Sequence, residues 1–128
     1  MKPSTREWIK KAESDWQAAL ALSRKRKLTF HDEACFHCQQ SAEKYIKARL
    51  EEADIRFLKT HDLYQLLQNV LPAEPLWSAL LPALLRLNRY AVRFRYPGNE
   101  ATAKNAKDSI KDAKAVRKEA RLSLGLKV

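Results

Sequence analysis

The densest concentration of reactive character in this chain is a run of arginines. Arg86, Arg89, Arg93 and Arg95 follow one another with no acid among them. On a helix, Arg86, Arg89 and Arg93 fall at i, i+3 and i+7 and share a face. Guanidinium groups grip phosphate through two parallel hydrogen bonds and stack on bases, which lysine does less well. Tyr90, Phe94 and Tyr96 interleave with them. Arginines beside aromatic rings are what single-stranded RNA or a nucleotide is bound with. The competing use is structural: Tyr90 and Phe94 belong to a core, and the arginines pair with acids of the second helix or of a second subunit. Arg86, Arg89, Arg93, Arg95 and Tyr96 are therefore the candidate nucleotide- or RNA-binding residues.

His61, in "KTHDL", is either a catalytic or ligand-contacting side chain or a structural residue bonding at a helix start beside Asp62. The two cysteines, Cys35 and Cys38, bracket His37 in a C-x-x-C spacing that raises redox and zinc chemistry. They lie at i and i+3 on a helical apolar stripe that continues through Ala42, Tyr45 and Ile46. No second C-x-x-C or H-x-x-x-H completes a zinc site, and no strand precedes the pair as in thioredoxin-like motifs. They read as small buried hydrophobes. No metal and no cofactor is expected. A Gly-rich phosphate loop, a paired-carboxylate site and a nucleophile motif are all missing from the sequence.

These residues sit on helical patterns. The first begins in "STREW", where Ser4 and Glu7 have capping-box spacing, and turns Trp8, Ala12, Trp16, Ala19 and Leu20 to one side. A second starts near Thr29 with Asp32 and Glu33 in its first turn. A short third helix is capped by Thr60 or Asp62 and ends before Pro72. The fourth turns Leu76, Trp77, Leu80, Leu84, Leu87 and Ala91 inward, and Pro82 should kink it or delay its start. The fifth, capped by Asn99 after the Pro97-Gly98 break, carries Ala103, Ala106, Ile110 and Ala113 on one face and frays from about residue 122. The expectation is one all-α domain over 1–128, an antiparallel bundle of four long helices plus one short one.

The formal charge is +10 in 128 residues, carried mainly by "RKRK" at 24–27, the arginine run and the last helix. Such clusters suit an anionic partner, or are ordinary solvated helix surface. No apolar run is long enough to span a membrane, and the charged N-terminus lacks the apolar centre of a signal peptide. A cytoplasmic, reduced protein is expected.

"FHCQQSAEKYIKARL", "KTHDLYQLL" and "LNRYAVRFRYPG", in that order, resemble the HEPN domain family, small prokaryotic helical bundles often encoded beside a minimal nucleotidyltransferase. The resemblance covers roughly residues 5 to 121, with Trp8, Asp15 and Trp16 also fitting the family pattern. It implies a helical bundle, usually a homodimer, with a polar groove where helices of two subunits meet. Members are metal-independent ribonucleases, toxin partners of nucleotidyltransferases, or non-catalytic nucleotide- or RNA-binding modules.

The family's ribonuclease signature is an Arg followed after four to six residues by His, near the end of a core helix. Here Arg89 is followed seven residues on by Tyr96, and no histidine follows His61. Tyrosine, with a pKa near 10, is a poor base at neutral pH. Arg56 and His61, and Arg26 and His31, have the spacing but fall in or beside loops. The favoured expectation is a nucleotide- or RNA-binding partner of a minimal nucleotidyltransferase, of the toxin–antitoxin type. The alternatives are a metal-independent ribonuclease using His61, Arg89, Arg93 and Tyr96, and a protein-interaction module with a basic surface.

Overall fold

The computed structural model describes residues 1–91 and 97–128. Among the described residues there are five α-helices and no strand, which is the all-α architecture expected. They are α1 (Pro3–Ser23), α2 (His31–Glu52), α3 (Leu63–Val70), α4 (Leu81–Asn88) and α5 (Ala103–Ser123), with a 3-10 turn over Pro75–Leu80 leading into α4. α2 is the central helix. It packs mainly against α1 and α5, while α3 and α4 cover much of the remaining surface.

The main core joins Trp16 of α1 to Tyr45, Ile46 and Leu50 of α2, Leu66 and Leu67 of α3, Trp77, Leu84 and Leu87 of the fourth region, and Val116 of α5. A smaller cluster of Ala34, Cys35, Tyr90, Ala101 and Ala106, with Leu22 against it, closes one end of the bundle. That end is where α2 and α5 begin and where α1 and α4 finish.

Several expectations need correction. Ser4 does not cap α1, which starts one residue earlier because Pro3, with its fixed φ and no N–H, suits the first helical turn. Ser4 and Thr5 instead donate to Glu51 and Glu52 at the far end of α2, at 2.8 and 2.9 Å. Leu76 is not inward but 88% exposed. It lies in the 3-10 turn, whose three-residue repeat brings Trp77 and Leu80 to one side and turns Leu76 away. Of the two effects expected of Pro82, the delayed start is the one realised: it sits in the first turn of α4.

α5 is capped by Thr102, not Asn99. The Thr102 hydroxyl accepts from the Asn105 amide at 3.1 Å, and the Asn105 side chain accepts from the Thr102 amide at 2.9 Å. This is the reciprocal box with asparagine in the place usually held by Glu or Gln. Ala103 is exposed, because Ala101 of the incoming chain occupies the packed position at that level.

Two helices end in Schellman turns that satisfy their last carbonyls. At the end of α5, Gly125 has φ +74° and the Leu126 amide donates to the Arg121 carbonyl at 2.8 Å. At the end of α2 the same left-handed place is held by Asp54, φ 58°, with Ile55 donating to Leu50 at 3.0 Å.

Candidate nucleotide and RNA site

The arginines of α4 have unequal roles. Arg86 lays its fork on Asp112 of α5, with Nε and Nη2 each 2.9 Å from a carboxylate oxygen. Asp112 is buried while the Arg86 side chain stays about half exposed. The salt-bridge alternative is therefore realised for Arg86, with the acid coming from α5 rather than α2. A hollow of about 240 Å³ opens beside the pair, lined by Arg86, Asp108, Lys111 and Asp112.

Arg89 caps the end of α4 and is exposed. Its Nε donates to the Arg86 carbonyl at 3.2 Å and its Nη2 to the Tyr90 hydroxyl at 3.4 Å. The guanidinium carbon stands 5.5 Å from the centre of the Tyr90 ring. Tyr90 itself is buried in the small end cluster, and burial first, then the neighbouring Cys35, raises its hydroxyl pKa. Tyr90 is thus a packed platform under Arg89, while the arginine retains donors for an anion. Arg93, Arg95 and Tyr96, the other members of the expected site, lie outside the described residues.

His61 stands in the turn before α3. Asp62 caps that helix, accepting from the Tyr64 amide at 3.0 Å. Asn88, the last residue of α4, donates to Asp62 at 2.9 Å and accepts from the Leu63 amide at 2.9 Å. The fold therefore brings the chain beside His61 to the chain beside Arg89. Their side chains nevertheless have different partners: Arg89 lies on Tyr90, and the His61 Nδ1 meets Glu43 of α2 at 2.8 Å.

Glu43 is the centre of a buried polar ladder that the sequence reading did not identify as such. Gln39, Glu43 and Lys47 follow at helical spacing on α2. Glu43 accepts from Lys47 at 2.9 Å and from Gln39 at 3.3 Å, and Gln39 also donates to the His61 carbonyl at 3.1 Å. The Lys47 ammonium lies 5.3 Å from the Trp8 ring and 6.0 Å from that of Phe57, and the two rings meet edge-to-face. A buried carboxylate is tolerable only with such a set of donors.

A second pair of networks ties α1 to its neighbours. Asp15 is held by His37 at 2.7 Å and Lys44 at 2.5 Å. Burial alone would raise its pKa, but those hydrogen bonds and charges hold it below the usual value. Glu13 takes the fork of Arg117 at 2.8 and 2.9 Å and also accepts from the Tyr45 hydroxyl. Burial opposes its ionisation, yet Arg117 and Tyr45 pull it down to about 2. Tyr45 is correspondingly pushed up to about 12, by burial and then by its bond to Glu13. The signal available in the sequence was the charged set Glu43, Lys44 and Lys47 interleaved with the apolar stripe of Ala42, Tyr45 and Ile46.

The cysteines are core residues. Both are free and fully buried, and Ser109 of α5 donates to the Cys35 sulfur at 3.4 Å. Burial raises both thiol pKa values, which is the opposite of the activation a redox or nucleophilic cysteine needs.

Of these networks, Glu43, Lys44 and Lys47 fall in the "QSAEKYIKA" stretch, and His61 and Asp62 in "THDL". The HEPN domain family matches residues 5–123, nearly the whole chain. The protein belongs to the HEPN domain family. Comparison with curated proteins and with solved structures gives no match. Membership carries a nucleotide- or RNA-related role at the level of the family. No helix among the described residues is long and apolar enough to cross a membrane.

Proposed function

We propose that this HEPN protein is a cytoplasmic nucleotide- or RNA-binding module and the partner of a minimal nucleotidyltransferase, in a toxin–antitoxin type of pair. The observation that supports the binding role is Arg89: an exposed guanidinium seated on the buried ring of Tyr90, with no carboxylate on it among the described residues. Phosphate oxygens supply the charge that the protein itself supplies to Arg86 through Asp112. Arg93, Arg95 and Tyr96, next along the chain, extend the same anion-binding chemistry in this reading. The active form is a homodimer. Tyr64, Leu76 and Leu85, all substantially exposed, offer apolar surface for a second copy.

A second reading, a metal-independent ribonuclease, is favoured by one specific observation. A histidine whose Nδ1 is held by a buried carboxylate has a fixed ring and tautomer, which is how a general base is oriented. His61 on Glu43 has that arrangement, with its ring 71% exposed. Incubating the purified protein with labelled RNA in EDTA separates the readings. Binding that weakens with salt and leaves the RNA intact supports the module; cleavage that disappears in His61→Ala supports the ribonuclease. Failure to bind RNA or nucleotides at low salt overturns the binding role and leaves an interaction protein with a basic surface.

A further inference from the structure

The second basic cluster of the sequence, Arg24, Lys25, Arg26 and Lys27, forms the connection between α1 and α2. All four residues are exposed, and among the described residues no acid pairs with them. With Leu28 and Phe30 they line an open hollow of about 480 Å³. Arg24 at the end of α1 complements the helix dipole, which accounts for one charge but not for four.

This connection stands at the same end of the bundle as Arg89. Leu22, two residues before Arg24, packs on the cluster that contains Tyr90, and Tyr90 is the ring beneath Arg89. Leu22 near the end of α1 and Tyr90 just past α4 thus meet in one cluster, which makes the two helix ends neighbours. Acids at this end are grouped elsewhere: Asp32, Glu33 and Glu100 line a separate hollow of about 250 Å³, with Asp32 bonded to the Ala101 amide at 2.5 Å.

We propose that the 24–27 connection is a second phosphate-binding site, and that together with Arg89 it selects a single RNA strand of several nucleotides over a lone nucleotide. This rests on the binding role proposed above and specifies its ligand. Two cationic groups separated across one end of the bundle suit a chain of evenly spaced phosphates, which a mononucleotide cannot span. Phe30, a half-buried lining residue of the hollow, supplies a ring for a base, and the acidic hollow keeps the strand on the basic side. A membrane surface is a poorer fit, since Leu28 is the one strongly protruding apolar side chain of this connection.

The test compares the full chain with the variant Arg24→Ala, Lys25→Ala, Arg26→Ala, Lys27→Ala, using a short labelled single-stranded RNA and labelled ATP. The variant should lose about tenfold or more in RNA affinity at low salt, with the log–log salt slope flatter by about two to three units. Its ATP affinity should be nearly unchanged, and Arg24→Lys, Arg26→Lys should retain RNA binding. Unchanged RNA affinity and slope in the alanine variant overturn the second site while leaving the proposed binding function intact. Equal losses for RNA and ATP also overturn it, because the connection would then be part of the one nucleotide site. A parent chain that ignores both ligands removes the binding function itself. Capture of the parent by phosphatidylserine vesicles without RNA binding replaces the RNA strand with a membrane.

Discussion

The Nδ1 of His61 lies 2.8 Å from the Oε1 of Glu43, an exposed ring on a carboxylate buried within α2. The other oxygen of that carboxylate takes Lys47 at 2.9 Å. The interior ion pair is Glu43 with Lys47, and His61 is its lid toward solvent. The two partners should respond very differently to mutation.

Removing Lys47 as Lys47→Met leaves Glu43 buried with only His61 and Gln39, and should cost about 3–5 kcal/mol. Pairing it with Glu43→Gln should recover a large part of that loss, because both buried charges are then gone. His61→Ala removes one bond from a ring that is mostly in water and should cost about 1 kcal/mol. Denaturant unfolding of the four proteins checks the order. A Lys47→Met variant as stable as the parent would remove the ladder from the account of this fold.

The three-helix clasp around Glu13 predicts acid sensitivity. The carboxyl is at 4.5 when unperturbed and about 2 in the folded chain. A depressed folded value means that the stabilisation is fully present above the unfolded pKa and disappears as pH falls through the folded one. Stability should therefore decline between about pH 4.5 and 2, with Asp15, also lowered, adding to the loss. Glu13→Gln should flatten that decline and lower stability at neutral pH by about 2–3 kcal/mol. Thermal melts across the acid range measure both.

The buried thiols lead to a plainer expectation. Cys35→Ala with Cys38→Ala should fold and lose about 1–3 kcal/mol, the cost of small cavities and of the Ser109 contact. Reductant should not move the melting temperature of the parent protein. A shift on adding reductant would mean that the thiols are oxidised in solution.

The elements were legible because apolar spacing on α1, α2 and α5 is dictated by burial against neighbours, and burial is what periodicity records. Leu76 was misplaced because a 3-10 turn has a different repeat, and nothing in "EPLWSALLP" distinguishes three residues per turn from 3.6. Ser4 and Glu7 have box spacing, but the acids Glu51 and Glu52, distant in sequence, claimed the hydroxyls of Ser4 and Thr5. The candidate site divides the same way. That Arg86 and Arg89 share a helix was readable; that Asp112 waits opposite one of them and not the other depends on how α5 lies against α4. The role of Glu43 was not legible, because His61, one of its three partners, comes from a turn 18 residues further along the chain.

That difference between neighbouring arginines yields the sharpest prediction for the site. Arg86→Ala strips both hydrogen bonds from Asp112, whose side chain is 8% exposed, and an orphaned buried carboxylate should cost about 2 kcal/mol. Arg89→Ala removes a guanidinium from the outside of Tyr90 and should change stability by no more than about 0.5 kcal/mol. RNA binding should order them the other way. Arg89→Ala should lower affinity and flatten the salt slope by about 0.7, the share of one phosphate contact on a single strand. Arg86→Lys keeps the charge beside Asp112 but not the fork, so part of the lost stability should return. Denaturation and salt-dependent binding, measured on the same three variants, place each arginine on one axis. If Arg89→Ala unfolds the protein and Arg86→Ala abolishes binding without touching stability, the assignment of the two side chains is reversed.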